Sequence, residues 1–111
     1  EDWLNDGVPL AAPVAREAIQ GWYGANTTAR GEWRVAGEVV EPSKVAVPSL
    51  LIIPDRDRIV PPESALGLAA AMPQARQMTV PLGHIGMITG SAAGRVVYGP
   101  LVRWLRRVAM Q

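Results

Sequence analysis

Residues 47–62 read VPSLLIIPDRDRIVPP, and residues 78–86 read MTVPLGHIG. Within the first stretch, Ser49–Ile53 is almost continuously apolar, a pattern typical of a strand buried on both faces of a parallel sheet. The pattern then predicts a helix over Glu63–Met72 and a second strand over Gln77–Val80. A strand–helix–strand order implies parallel strands. The sequence therefore predicts an α/β fold with a partial parallel, doubly wound sheet.

Each predicted strand ends in a turn that carries chemically active side chains. Asp55 and Asp57 follow the first strand, and His84, the only histidine, follows the second. The carboxyl ends of neighbouring parallel strands open into one crevice. A carboxylate bonded to one imidazole nitrogen makes the other nitrogen a general base. Either aspartate is a candidate acid at this point. Gly83 and Gly86, which flank the histidine, would allow unusual backbone angles and a close approach of other chain segments.

The composition excludes several classes of function. The 111 residues carry a net charge of +1, 49% apolar residues and no cysteine. Disulfides and thiolate metal sites are therefore excluded within the chain, and we expect no metal and no cofactor. Without a basic stripe we expect no nucleic-acid partner. No apolar run approaches the roughly 18 residues that span a bilayer, so we expect a cytoplasmic protein without a membrane span.

A nucleophile for such a site is missing from the sequence. With no cysteine, the candidates are serines, and none of the four lies in the G-x-S-x-G pattern of a nucleophile elbow. The chain alone is therefore predicted to be catalytically inactive. The four serines are Ser43, Ser49, Ser64 and Ser91.

The flanking regions have weaker signals. A helix is predicted over Ala11–Tyr23, with its apolar residues on one broad face. A tight turn or a bulge is predicted at Ala36-Gly37 within the strand-like segment Trp33–Val40. A last amphipathic helix follows Ser91, and Gly99-Pro100 is expected to kink or break it. We interpret residues 1–46 as a cap or linker region, and residues 47–111 as the part that carries the acid turn, the histidine turn and the last helix.

Three motifs resemble those of one family, the polyhydroxyalkanoate synthases of the α/β-hydrolase fold. Asp57–Pro61 (DRIVP) is similar to that family's D-H-I-V-P acid turn, with Arg58 in place of the histidine. Gly83–Ile85 (GHI) is similar to its histidine turn, and Asp2–Pro9 (DWLNDGVP) to a Trp- and Asn-containing segment before the acid strand. The resemblance implies that Asp57, rather than Asp55, is the acid and His84 the base. It also implies a Cys or Ser nucleophile upstream of the chain.

The activity that the resemblance implies is acyl transfer. A 3-hydroxyacyl group would pass from its CoA thioester to the nucleophile, and then to a growing polyester. A serine nucleophile with water would instead give an esterase or depolymerase. The expected partners are the missing N-terminal part of the same enzyme and an acyl-CoA or ester substrate.

A third hypothesis concerns association rather than catalysis. Two buried strands are too few for a complete sheet, so sheet edges and faces would be left uncovered. As a non-catalytic fragment, the chain is expected to form a homodimer.

Overall fold

The computed structural model of the protein describes residues 6–110. The chain divides into two compact units, Glu1–Val40 and Glu41–Gln111. In the first unit a helix, α1 (Ala12–Arg16), continues directly into a π-helical segment (Glu17–Gly24). A hairpin of β1 (Arg34–Val35) and β2 (Glu38–Val39) follows. Residues 2–5 of the Trp- and Asn-containing segment lie outside the described residues.

The first helix has nearly the predicted extent but not the predicted hydrogen bonding. Its second half widens into a π-helix. The apolar face expected from a 3.6-residue period is not buried in either half. Ile19 is 67% exposed and Tyr23 is 88% exposed. Trp22 packs edge-on against Trp33, with ring centroids 5.3 Å apart, and the Trp33 Nε1–H donates to Glu17 Oε1 at 2.9 Å. The tryptophan pair and this hydrogen bond connect the helix to the segment that precedes the hairpin.

The hairpin turn is where the sequence predicts it. Ala36 and Gly37 connect β1 to β2 with φ angles of 51° and 88°. Two consecutive positive φ values are the mark of a type I′ turn, the turn that fits the twist of a two-residue hairpin. The Val40 N–H donates to the Trp33 carbonyl at 2.9 Å and extends the hairpin at the end away from the turn.

Substitution of Gly37 by alanine should therefore destabilise the protein by about 1 kcal/mol, the cost of a Cβ in left-handed backbone. A Cβ at this position meets no atom within 4 Å, so the cost is conformational rather than steric. The matched change, Ala36→Gly, removes similar strain from the folded turn but raises the conformational entropy of the unfolded chain. The free energy of unfolding should therefore change by less than about 0.5 kcal/mol. Urea unfolding measures both, and equal effects would contradict the turn assignment.

The second unit has the predicted strand–helix–strand–helix order. Its elements, after a single 3₁₀ turn at Pro42–Lys44, are β3 (Leu50–Pro54), α2 (Pro62–Ala71), β4 (Arg76–Val80), the short helix α3 (Gly86–Thr89), a π-helical segment (Gly94–Tyr98) and α4 (Gly99–Ala109).

Strands β3 and β4 pair in parallel, as the sequence predicts. The register runs from Leu50 opposite Arg76 to Pro54 opposite Val80. Helices with a two-stranded parallel sheet are compatible with the α/β class. The buried apolar side chains that form the core of this unit are Ile53, Ala69, Met72, Ala75, Val80, Ala93 and Val97.

The expectation of a broken helix at Gly99-Pro100 is wrong in part. The chain stays helical through both residues, because Pro100 occupies the first turn of α4, where a missing N–H costs nothing. The discontinuity appears instead as a change from π-helical to α-helical hydrogen bonding at Gly99. Along α4, Trp104 and Val108 are half-buried, whereas Leu105 is 50% exposed.

Candidate catalytic acid–base pair

The two turns that carry the candidate side chains are held together by their backbones. Beyond the end of β3, the Asp55 N–H donates to the Val80 carbonyl at 3.0 Å, and the Arg56 N–H donates to the Leu82 carbonyl at 3.1 Å. The parallel pairing thus continues past the strands into the loops. This fixes the acid turn against the histidine turn at the carboxyl end of the sheet, where ligands of parallel sheets bind.

Asp57 and His84 are in direct contact. The His84 Nδ1 lies 2.7 Å from the Asp57 Oδ2, although the residues are 27 positions apart in sequence. The other carboxylate oxygen, Oδ1, accepts the backbone N–H groups of Ile59 at 2.8 Å and Val60 at 2.9 Å. The Asp57 side chain is only 4% exposed, so its three hydrogen bonds replace most of its contact with water.

These contacts determine the ionisation of the acid. Desolvation of the carboxylate raises its pKa, but the Val60 N–H, the His84 ring and the Ile59 N–H all favour the charged form. The net effect holds the pKa of Asp57 below its ordinary value. Near neutral pH the carboxylate is therefore ionised and can only accept hydrogen bonds.

The position of the proton on the His84 ring follows from the ionisation of Asp57. Facing an acceptor, the His84 Nδ1 must carry a proton, and in the neutral ring the Nε2 then holds the lone pair. Within residues 6–110 the Nε2 has no hydrogen-bond partner, and the side chain is 41% exposed. The imidazole is therefore oriented with a basic nitrogen available to a reacting group.

Ionised Asp57 should make stability depend on acidic pH. Because its pKa is lower in the folded chain than the unfolded value of about 3.9, its contribution is complete above that value. It is lost as the pH falls through the folded-state pKa. We expect the difference in urea midpoint between the natural chain and Asp57→Asn to shrink as the pH falls below about 4. A difference that is unchanged at about pH 2.5 would contradict the pairing.

The competing acid, Asp55, has a different environment. Its side chain is 49% exposed, and its carboxylate lies 4.0 Å from the Arg56 Nε. Within the described residues it makes no hydrogen bond to His84. Arg58 follows Asp57 directly in the sequence, and its side chain is exposed.

Two features of the turns differ from the sequence analysis. Gly83 and Gly86 flank His84 without positive φ, so neither adopts the unusual backbone angles that glycine allows. The N–H groups of Ile59 and Val60 are partners of the acid that the sequence prediction does not contain. Their spacing of two and three residues after an aspartate is that of an Asx turn, a signal that the sequence does carry.

Within residues 6–110, the acid–base pair has neither a serine nucleophile nor a metal-binding cluster beside it. No serine hydroxyl forms a hydrogen bond with His84, and the Ser49 hydroxyl donates instead to the Val47 carbonyl at 3.0 Å. No cluster of three or more His, Asp or Glu side chains is placed to hold a metal ion there. Over the same residues no helix combines the length and apolar character needed to cross a bilayer.

A groove of about 240 Å³ lies at the opposite end of the two strands. Because it opens at the amino ends of β3 and β4, it is separate from the acid–base pair, and parallel sheets bind ligands at the other end. Its lining residues are Pro48, Ser49, Gln74, Arg76, Trp104, Arg107 and Val108.

Comparison with curated proteins gives five related sequences, all named poly(3-hydroxyalkanoate) polymerase subunit PhaC. The protein from Synechocystis sp. is 28% identical over 108 residues, which cover 95% of this chain and 29% of that protein. The chain resembles the polyhydroxyalkanoate synthase family. The protein from Allochromatium vinosum is 27% identical over 95% of this chain and 30% of its own length. The protein from Haloferax mediterranei is 24% identical over 94% of this chain and 22% of its own length.

The chain thus spans less than a third of the length of these synthase relatives. No protein-family profile matches it. No solved structure matches it either.

Proposed function

We propose that the chain forms the acid–histidine part of a polyhydroxyalkanoate synthase-like enzyme with a doubly wound α/β-hydrolase sheet. The observation that carries the proposal is the 2.7 Å contact between Asp57 and the half-exposed His84 at the carboxyl ends of two parallel strands. The names of the relatives supply the reaction class. In this proposal Asp57 is the acid, His84 is the base, and residues 1–46 are a cap or linker region.

The nucleophile is contributed by a preceding part of the same polypeptide. In α/β-hydrolases the chain order is nucleophile, acid, histidine, and this chain contains the last two in that order. Neither a cysteine nor a G-x-S-x-G serine occurs in its 111 residues. The proposed partner is therefore an upstream segment with a Cys or Ser on a sharp turn.

The proposed mechanism uses the free nitrogen of His84 twice. First, the Nε2 takes the proton of the nucleophile as the nucleophile attacks the thioester carbonyl of a 3-hydroxyacyl-CoA. The thioester bond breaks, and the CoA thiolate leaves with that proton. Next, the Nε2 removes the proton of a hydroxyl group, whose oxygen attacks the acyl-enzyme. The bond between the acyl group and the nucleophile breaks, and the imidazolium returns the proton to the nucleophile. In both steps ionised Asp57 holds the ring in position and stabilises the imidazolium.

The 3-hydroxyacyl group explains why one base suffices for polymerisation. Each transferred unit brings its own hydroxyl, so the product of one transfer is an acceptor for the next. No resident cofactor enters these steps, and the proposal places the enzyme in the cytoplasm, where acyl-CoA thioesters are made.

The test is acyl transfer by the longer polypeptide that contains this chain. Incubation with 3-hydroxybutyryl-CoA should release free CoA thiol and produce ester-linked oligomers, detected by mass spectrometry. Free 3-hydroxybutyrate as the product would indicate the esterase or depolymerase alternative instead. Absence of CoA release, together with no G-x-C-x-G or G-x-S-x-G motif upstream, would refute both.

A further inference from the structure

Hydrogen bonds order the residues that line the groove at the amino ends of β3 and β4. The Gln74 side-chain N–H donates to the Val45 carbonyl at 2.7 Å, and the Arg76 backbone N–H donates to the Ser49 carbonyl at 2.9 Å. These bonds connect the segment before β3 to the start of β4. The groove is also lined by two cationic side chains, Arg76 and Arg107. Their guanidinium groups are strong hydrogen-bond donors that a ligand in the groove can use.

Arg76 lies on the packed face of β4. Side chains alternate along a strand, so Arg76 shares a face with Met78 and Val80. Gln77 and Thr79 lie on the other face. Burial of the first face increases along the strand, from exposed Arg76 to Val80 at 1% exposed. Arg76 therefore continues an apolar face with a cationic group where the groove begins.

Arg107 is placed in the same way on α4. Residues three and four apart share a helix face, so Arg107 and Val108 lie on the side of Trp104. Trp104 and Val108 are half-buried, and all three residues line the groove. Arg103 and Arg106 are exposed and do not line it. Of the three arginines of α4, only Arg107 is therefore on the groove side.

The charge of the two groove arginines is not balanced by the protein. Within residues 6–110 neither Arg76 nor Arg107 forms an ion pair. The compact unit Glu41–Gln111 contains eight Arg or Lys residues and four Asp or Glu residues, a net charge of +4, and none of these carboxylates lines the groove. A phosphate monoester carries nearly two negative charges near pH 7 and binds guanidinium groups in a bidentate geometry. One phosphate group can therefore neutralise both arginines.

We propose that this groove binds a mononucleotide, with its phosphate between Arg76 and Arg107 and its base beside the Trp104 ring. Trp104, Pro48 and Val108 give the groove an apolar wall with an aromatic ring next to the cationic groups. Any base can stack on an aromatic side chain, because every base has a π-face. The volume of about 240 Å³ is below the roughly 300–1,000 Å³ of sites for drug-sized ligands, which limits the ligand to a single nucleotide.

This site is separate from the proposed acyl-transfer chemistry. Parallel sheets usually bind ligands at the carboxyl ends of their strands, so a ligand at the amino ends must be recognised by side chains such as these arginines. Asp57 and His84 lie at the opposite end of β3 and β4, and a nucleotide in the groove takes no part in acyl transfer. Nucleotide binding here does not depend on the proposed function.

Isothermal titration of the longer polypeptide with adenosine 5′-monophosphate (AMP) tests this site, at low ionic strength where screening is weak. We expect one site per chain with a dissociation constant below about 1 mM. Adenosine lacks the phosphate and inorganic phosphate lacks the base. Each should therefore bind at least about 10-fold more weakly than AMP.

Matched substitutions locate the binding site. Arg76→Gln and Arg107→Gln should each weaken AMP binding by at least about 10-fold, because each removes charge-assisted hydrogen bonds to the phosphate. Arg106→Gln removes the same charge from the neighbouring position of α4, outside the groove, and should change AMP binding by less than about 2-fold. All three side chains are exposed, so the urea midpoints of the variants should remain close to that of the natural protein.

Four results would overturn the nucleotide site. The first is no AMP binding at millimolar concentration, and the second is an equal loss in Arg106→Gln, which would indicate a diffuse cationic surface. The third is binding that persists in Arg76→Gln and Arg107→Gln, which would place the nucleotide elsewhere. The fourth is inorganic phosphate that binds as tightly as AMP. The His84→Gln polypeptide should bind AMP unchanged, so failure of this site and failure of the proposed function are distinguishable.

Discussion

Substitution of His84 by glutamine in the longer polypeptide is expected to lower kcat/KM for 3-hydroxyacyl-CoA by about 10⁴-fold or more. Glutamine has a similar length and can still hydrogen-bond to the Asp57 carboxylate. It cannot take a proton from a nucleophile or return one to a leaving group. The chain has no second histidine to replace it. Release of CoA thiol under kcat/KM conditions measures the effect.

The loss should lie in chemistry rather than in folding. His84 is half-exposed, and glutamine can keep a hydrogen bond to Asp57, so the replacement should leave the urea midpoint nearly unchanged at neutral pH. A variant with a normal midpoint and at least a tenth of the original kcat/KM would show that another group is the base.

Substitution of Asp57 by asparagine should lower kcat/KM by about 10³–10⁴-fold. The introduced amide can still accept the Ile59 and Val60 N–H groups through its carbonyl oxygen, so the turn is preserved. Its NH₂ group would then face the His84 Nδ1 and favour the tautomer with the proton on Nε2. That tautomer has no lone pair for the nucleophile, and no carboxylate remains to stabilise the imidazolium.

The choice between Asp55 and Asp57 shows how far the sequence can determine a site. Both follow the same strand, and local spacing alone leaves both possible. The family-like D-R-I-V-P run favours Asp57, and in the structure Asp57 is the one that contacts His84. Asp55 is still part of the extended ladder through its N–H, whereas two residues later the chain has turned toward the histidine loop. A contact across 27 residues depends on how two loops meet, which periodicity does not encode.

The regular helices and strands are easier to predict from the sequence than the irregular helical segments. Runs of apolar residues identified β3, α2 and β4, and Ala36-Gly37 identified the hairpin turn, because these signals are local. The two π-helical segments and the short helix α3 had no such signal. The apolar residues of the first helix also gave a misleading prediction, since Ile19 and Tyr23 are largely exposed. An apolar period shows which side chains share a face, but not whether anything covers that face.

The central claim is that Asp57, and not its neighbour Asp55, orients His84 for acyl transfer. The most direct test is the ratio of kcat/KM between Asp55→Asn and Asp57→Asn in the longer polypeptide, with 3-hydroxybutyryl-CoA as substrate. Both variants remove one carboxylate from the same turn, so charge and fold are matched. The structure predicts a ratio of about 10³ or more, with Asp55→Asn within about twofold of the natural enzyme. A ratio near or below one would contradict the account.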